Sequence, residues 1–102
     1  MSANDRVRAT VAALRRITIL RLLDESGCPC NSAVAEAAAR DYQVPGVTRA
    51  AINDDARWMA AVGLLVIDEL KPDLLGMKIT PRGVRVARGE ERVDGVALPS
   101  ED

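Results

Sequence analysis

Apolar side chains recur every three or four positions at the start of the chain, as they do on one face of an α-helix. This stretch, residues 4–25, contains neither glycine nor proline. Its apolar stripe is wider than one packing face requires. Contact with a partner subunit would explain this width, and so, equally well, would a helix packed on two sides within its own domain. Asn31 offers an N-cap to an alanine-rich stretch over residues 32–42, and Thr48 offers one to a stretch that runs to residue 62. The pattern therefore predicts three helices.

The pattern then changes to short apolar runs. Residues 64–70 and 74–80 are typical of two strands joined by a turn, which makes a β-hairpin. Thr80-Pro81 is typical of a cap followed by proline at the first helical position, so a short helix is expected up to residue 88. The sequence thus predicts a mainly α fold with a β-hairpin, ordered as three helices, a two-stranded wing and a short C-terminal helix. This is the winged helix-turn-helix arrangement.

Length and charge indicate one domain with an acidic end. The chain has 102 residues, within the usual range of a single domain. Its formal net charge is −1, so the molecule as a whole has no strong field that would attract nucleic acid. Residues 71–89 hold five basic residues and one acidic residue, whereas residues 90–102 hold one basic and five acidic residues. We expect a winged helix-turn-helix domain over residues 1–89 and an acidic, extended or disordered tail over residues 90–102.

The composition removes most catalytic and metal-binding chemistry. Histidine is absent, and with it the usual general base near neutral pH and the commonest metal ligand. Cys28 and Cys30 are too few for a four-ligand zinc site and too close for an unstrained disulfide, so we expect them to stay reduced. No apolar run reaches the roughly 18 residues that span a bilayer. We expect a cytoplasmic protein that is not an enzyme, with no cofactor, no metal and no membrane partner.

The third predicted helix has an apolar and a polar face. Steps of about 100° per residue bring three apolar residues together as the core face: Ile52, Ala56 and Met59. The opposite side carries a polar stripe at i, i+4 and i+8, formed by Arg49, Asn53 and Arg57. Arginine reads guanine edges and asparagine pairs with adenine, so these are the candidate base-reading residues for the DNA major groove. The competing interpretation is an ordinary solvated helix face, with Asp54 beside Arg57.

Two further residues of this helix are expected to be structural. Asp55 lies near the core face, where a carboxylate is usually paired, so we expect it to bind a backbone amide or an arginine. Trp58 is expected to anchor packing between this helix and a neighbouring element. Asp54, at the margin of the polar stripe, would face phosphates unfavourably, which favours weak or partner-dependent DNA binding.

The hairpin and the short helix supply most of the candidate contacts to the DNA backbone. Together with the cap of the third helix, these are Thr48, Lys71, Lys78, Arg82 and Arg85. If they converge beside the third helix, their phosphate contacts should weaken steeply with salt. The alternative is that the arginines of the short helix, Arg88 included, hold the acidic tail through Glu90, Glu91 and Asp94. The tail would then compete with phosphate for those cations.

Several segments carry a resemblance to a known family. They are Arg15-Arg16-Ile17-Thr18-Ile19-Leu20-Arg21-Leu22-Leu23, Val47-Thr48-Arg49, Asp55 with Trp58-Met59, Gly63-Leu64-Leu65-Val66, and Thr80-Pro81-Arg82-Gly83 through to Arg92-Val93-Asp94-Gly95-Val96. Across residues 12–99 the chain resembles the small winged-helix proteins of Mu-like phages and prophages, some of which are labelled ArsR-like. The resemblance implies a winged-helix fold and a phage origin in a bacterial host cell. Asn53 and Ala60-Ala61-Val62 depart from the family pattern and leave the exposed face of the third helix less charged, and the metal-sensing motif of ArsR repressors is not visible.

We therefore expect a non-catalytic phage DNA-binding protein, transcriptional regulation being one such role, that binds double-stranded DNA as a homodimer. A dimer is expected because one short helix and one wing cover few base pairs. The alternative is a protein-interaction adaptor that uses the winged-helix scaffold in phage assembly or DNA packaging, with a phage protein as partner. An enzyme would have to use Asp54, Asp55 or a cysteine without histidine, and no nucleophile motif or phosphate loop is present.

Overall fold

The fold is mainly helical, with four helices and a small three-stranded antiparallel sheet. A computed structural model describes residues 2–99. In chain order the elements are α1 (Ala3–Ser26), β1 (Cys30–Asn31), α2 (Ser32–Asp41), α3 (Arg49–Ala61), β2 (Leu65–Lys71), β3 (Leu74–Ile79) and α4 (Pro81–Ala87). The predicted helices and the predicted hairpin are therefore present, with ends within one residue of the predicted ones.

Side-chain caps determine where three of the helices begin. Asn31, Thr48 and Thr80 each accept a hydrogen bond from the main-chain N–H three residues further on, at 3.0 Å in each case. Such a bond satisfies one of the donors that the first helical turn leaves without a partner. The three caps expected from the sequence are confirmed.

The sheet has one strand more than predicted. Its strand order is β1-β3-β2, and β1 pairs with β3 through Cys30 to Met77 and Asn31 to Gly76. The prediction of only two strands is wrong because β1 has two residues, too few to show the alternation by which a strand is identified in a sequence. Only the pairing with β3 makes it a strand.

The core is aliphatic and lies between the helices and the inner face of the sheet. Ile52, Ala56 and Met59 are fully buried, which confirms the predicted core face of α3. They pack with buried residues of α1, β3 and the loop after α3: Ile19, Leu20, Leu23, Leu64, Leu75 and Met77. The burial of one face of α3 fixes which of its residues remain available to other molecules.

The segment after α4 lies against the domain. Residues 90–99 form no helix or strand, yet Val93 and Val96 pack against the core. The main-chain N–H of Ala97 also donates a hydrogen bond of 3.2 Å to the carbonyl oxygen of Ala13 in α1. This part of the predicted tail therefore belongs to the packed domain, because the two valines give it an apolar side. Residues 100–102 of the predicted tail lie outside the described residues.

Candidate nucleic-acid interface

One face of α3 points away from the domain. Its exposed residues follow the spacing i, i+4, i+7 and i+11, which places them in one row along the helix: Ala50, Asp54, Arg57 and Ala61. We call these four residues the α3 stripe. The alanines at its two ends leave room for close approach of another molecule. Asp54 and Arg57 together give the stripe no net charge.

Asn53 is not part of this surface. It is only 4% exposed, and its Nδ2 donates a hydrogen bond of 3.1 Å to the main-chain carbonyl oxygen of Asp73, in the turn between β2 and β3. The prediction that Asn53 is free to read a base is therefore wrong. A row of residues at i, i+4 and i+8 drifts around a helix by about 40° at each step, and this drift carries Asn53 to the side that meets the hairpin.

Arg49 lies at the edge of α3 that faces α2. Its Nε donates a hydrogen bond of 2.7 Å to Oε1 of Glu36, and Nη2 of Arg40 lies 2.7 Å from the other carboxylate oxygen. One buried carboxylate thus faces two guanidinium groups, which leaves a net positive charge at this edge. Glu36 is not among the predicted site residues. The only signal for it in the sequence is its i, i+4 spacing to Arg40.

Arg57 is the most accessible of the three predicted base-reading residues. Its side chain is 52% exposed, and its Nη1 lies 3.8 Å from Oδ1 of Asp54. The side chain of Asp54 is itself 79% exposed. An exposed ion pair of this kind contributes at most about 0.5 kcal/mol. The guanidinium of Arg57 is therefore available to another acceptor.

A buried cluster holds α3 in place. Asp55 is 1% exposed, and its carboxylate accepts hydrogen bonds from Nε of Arg15 at 2.6 Å and from Nε of Arg16 at 3.1 Å. This confirms the expectation that Asp55 pairs with an arginine. The guanidinium carbon of Arg16 lies 4.0 Å from the centroid of the Trp58 ring, and its Nη1 donates to the carbonyl oxygen of Gly95 at 3.0 Å. We call these residues the Asp55 cluster; it joins α3 to α1 and to the C-terminal segment.

The two arginines of the Asp55 cluster are not among the predicted site residues. Arg15 and Arg16 are adjacent cations in an otherwise apolar part of α1, and this is the signal that could have drawn attention to them. Trp58 packs against the core at the other end of the cluster, in agreement with the expectation that it anchors α3 to a neighbouring element. The cluster positions the α3 stripe and does not itself offer a free surface.

Lys71 and Lys78 project from the hairpin into solvent. Within residues 2–99, neither lysine forms an ion pair. Lys71 ends β2, and the turn that follows it is held against α3 by the bond from Asn53 to Asp73. Lys78 lies further along the hairpin, opposite Val66. Lys71 is thus, among the described residues, an unpaired cation two positions before the hairpin residue that contacts α3.

The predicted backbone-contacting arginines of α4 are paired inside the chain. Nε of Arg82 and Nε of Arg85 donate to the two carboxylate oxygens of Glu91, at 2.6 Å and 3.2 Å. These hydrogen bonds lower the pKa of Glu91, and the bond from Arg82 has the largest effect. Burial acts in the opposite direction and raises the pKa. Arg88 instead forms two hydrogen bonds of 3.1 Å with Asp24 of α1. The alternative of a tail held by these arginines is confirmed for Arg82 and Arg85, through Glu91, and wrong for Arg88. Within residues 2–99, Glu90 and Asp94 form no ion pair with them.

Two other properties bear on what the protein can bind: the state of the cysteines, and the length and polarity of the helices. Cys28 is exposed and Cys30 is half-buried, and burial raises the pKa of the Cys30 thiol. Within residues 2–99, no three residues among cysteine, aspartate and glutamate come together in a way that could hold a metal ion. In the same part of the chain, every helix is too short or too polar to cross a bilayer.

A function can thus be inferred from four surfaces. They are the exposed α3 stripe, the edge at Arg49, the hairpin lysines and the arginine pair of α4. Comparison with known proteins assigns none of them. No family model matches the chain, and neither a curated protein nor a solved structure does.

Proposed function

We propose that this chain is a non-catalytic, DNA-binding phage or prophage protein of the winged helix-turn-helix type, acting inside the bacterial host cell. In this proposal α2 and α3 form the helix-turn-helix, and β2 and β3 form the wing. The observation that carries it is the bond between Asn53 and Asp73. It holds the turn of the wing against α3, and because Lys71 precedes Asp73 by two residues, we assign Lys71 and the α3 stripe to one DNA-binding surface.

We assign base reading to residues that differ in part from those expected from the sequence. Arg57 takes that role because its guanidinium is exposed and only weakly paired. Asp54 beside it can accept a hydrogen bond from the amino group of cytosine, the contact by which carboxylates read that base. Asn53 loses the role because it is buried. Arg49 remains at the border of the stripe, where it can bind a phosphate once it leaves Glu36.

Contacts to the DNA backbone are assigned to the hairpin and to the start of α3. Lys71 and Lys78 have no internal partner among the described residues and can each bind a phosphate. Thr48 is exposed, and since its Oγ1 accepts from Ala51, its hydroxyl hydrogen can still be donated to a phosphate. Because few unpaired cations lie in α3 and the hairpin, both within the described residues, we expect weak binding with a modest salt dependence. Each neutralised phosphate adds about 0.9 to the magnitude of the slope of log K against log salt.

A homodimer would double this small set of contacts. The described part of α1 offers a surface for a second copy, because Val7 is 59% exposed and Leu14, seven residues later, is also exposed on the same side of the helix. A symmetric dimer formed through these helices would carry two α3 stripes, one for each half-site of a duplex. Sedimentation equilibrium of wild type and of Val7→Asp tests this: the variant should dissociate to monomers at a concentration at which the wild type is dimeric.

The test of DNA binding is fluorescence anisotropy with a labelled random-sequence duplex at about 50 mM salt. Arg57→Ala and Lys71→Ala should each weaken binding severalfold. Arg92→Ala is the matched control, because it removes the same charge from an exposed residue that lies outside α3 and the hairpin and forms no ion pair among the described residues, so it should change binding little. Absence of binding at micromolar wild-type protein would overturn the proposal.

A second candidate function, a protein-interaction adaptor in phage assembly or DNA packaging, is favoured by a different surface. The outer face of the sheet exposes Val66 and Leu70, which border a shallow groove formed with Pro29, Gly76 and Lys78. If this function is the correct one, a phage protein should co-purify at equal stoichiometry from infected cells. Leu70→Asp should then abolish the association, and Arg57→Ala should leave it unchanged.

A further inference from the structure

The pairing of Arg82 and Arg85 with Glu91 has the form of an occupied anion site. The two arginines lie one turn apart on α4, and each donates through Nε to a different oxygen of the same carboxylate. All three side chains are partly exposed, so a ligand can reach them. Because two guanidinium groups face one carboxylate, the site keeps a net positive charge even while it is occupied.

Arg82 fixes this site at one end of α3. Its Nη1 donates a hydrogen bond to the main-chain carbonyl oxygen of Val62, the residue that caps the C-terminus of α3. The last residues of the α3 stripe, Arg57 and Ala61, belong to the same end of the helix. A group bound by the two arginines would therefore lie at the C-terminal end of α3, the end at which the α3 stripe finishes.

Planar guanidinium groups bind phosphate oxygens in the same paired manner as they bind carboxylate oxygens. We propose that Arg82 and Arg85 form a binding site for a phosphodiester group of the DNA backbone, and that Glu91 occupies this site until DNA displaces it. This inference rests on the proposed DNA-binding function and deepens it. Glu91 acts as an internal competitor that lowers affinity for every duplex, whatever its sequence.

Displacement of Glu91 does not require the C-terminal segment to leave the domain. The segment is held independently by Val93 and Val96 against the core and by the carbonyl of Gly95, which accepts from Arg16. Only the Glu91 side chain has to rotate away from the two arginines. Because its backbone stays in place, the carboxylate keeps a high effective concentration at the site and returns as soon as the phosphate leaves.

The decisive variant is Glu91→Gln, which removes the competing charge and keeps the size of the side chain. Its affinity for a random duplex should rise about two- to fivefold, the range expected for the loss of an exposed ion pair. Glu90→Gln is the matched control, because Glu90 is the preceding residue, carries the same charge and forms no ion pair among the described residues. Thermal unfolding followed by Trp58 fluorescence verifies that both variants are folded.

The arginine side of the site is tested in a double-mutant cycle with Arg85→Gln. Arg85 is preferred to Arg82 for this purpose because Arg82 also holds the Val62 carbonyl. In the Arg85→Gln background, Glu91→Gln should raise the affinity by a clearly smaller factor than in wild type. An equal gain in both backgrounds would overturn the proposal, because Glu91 would then be acting only through the overall charge.

Two further outcomes separate this inference from the function on which it rests. If wild type binds DNA but Glu91→Gln and Glu90→Gln strengthen binding equally, the site is overturned and the proposed function stands. If no variant binds DNA, both are overturned. NMR of the arginine Nε–H signals in Glu91→Gln distinguishes the source of the phosphate. A shift of the Arg82 and Arg85 signals on addition of duplex supports the proposal. A shift on addition of inorganic phosphate, with none on addition of duplex, overturns it.

Discussion

The side-chain amide of Asn53 donates a hydrogen bond of 3.1 Å to the main-chain carbonyl oxygen of Asp73, and thereby joins the middle of α3 to the turn of the hairpin. Oδ1 of the same amide is buried and has no hydrogen-bond partner in the described part of the chain. Asn53 therefore acts as a donor at this contact. This makes its amide hydrogen, and not its polarity in general, the property on which the contact depends.

Replacement of Asn53 by aspartate should destabilise the fold more than replacement by alanine. Aspartate would place a buried carboxylate with no donor against the carbonyl oxygen of Asp73, at a cost of about 3 kcal/mol or more. Alanine loses one hydrogen bond but also removes the unpartnered Oδ1, so its effect should stay within about 1 kcal/mol. Urea unfolding of both variants measures the difference. Loss of base preference in a folded Asn53→Ala variant would contradict the burial of this residue.

The Asp55 cluster should be the most sensitive polar element of the domain. Asp55→Ala leaves Arg15 and Arg16 without their carboxylate, and removal of one partner from a buried ion pair costs about 3 kcal/mol or more. Asp54→Ala is the matched control, since the same change one residue earlier affects an exposed side chain and should stay within about 0.5 kcal/mol. Equal melting temperatures for the two variants would mean that the cluster does not stabilise the protein.

Substitution by alanine should destabilise the protein at Gly83 of α4 and be tolerated at Gly76 of β3. A Cβ at Gly83 would lie 2.7 Å from Cγ1 of Ile79 and would also meet the carbonyl oxygen of Leu64. The resulting overpacking should cost about 1–3 kcal/mol, which exceeds the gain of about 1 kcal/mol in helix propensity. A Cβ at Gly76 would lie 3.5 Å from Leu70, an ordinary contact, so Gly76→Ala should be tolerated. Thermal unfolding of the two variants distinguishes these outcomes.

The sequence predicted those features that depend on neighbours along the chain. The core face of α3 follows from the spacing of Ile52, Ala56 and Met59, and the helix starts follow from cap residues, because both are local properties. The burial of Asn53 was not predictable in this way, because it depends on a turn 20 residues later in the chain. The pairing of Arg49 with Glu36 likewise joins residues 13 positions apart on two different helices. Local spacing therefore identified the buried core face of α3 but assigned Asn53 to the wrong side of the helix.

The two free thiols should react with alkylating reagents at different rates. Cys28 is exposed, whereas Cys30 is half-buried in β1 and has a raised pKa, caused first by burial and then by the neighbouring Cys28. Because the thiolate is the reactive form, iodoacetamide should modify Cys28 before Cys30 in the native protein. Peptide mass spectrometry over time gives both rates. The two rates should approach each other in concentrated urea, and equal rates in the native state would contradict the placement of Cys30.

The same burial makes stability depend on pH at the alkaline end. The pKa of Cys30 in the folded protein is raised above the ordinary value of 9.0, so the folded state holds this proton more tightly than the unfolded state does. Its contribution to stability is therefore complete below pH 9.0 and is lost as the pH rises through the raised pKa. Cys30→Ala has no proton to lose at this position. As the pH rises above 9.0, the free energy of unfolding of wild type should therefore fall relative to that of the variant. Urea unfolding at a series of alkaline pH values measures this; parallel curves for the two proteins would show that Cys30 titrates alike in both states.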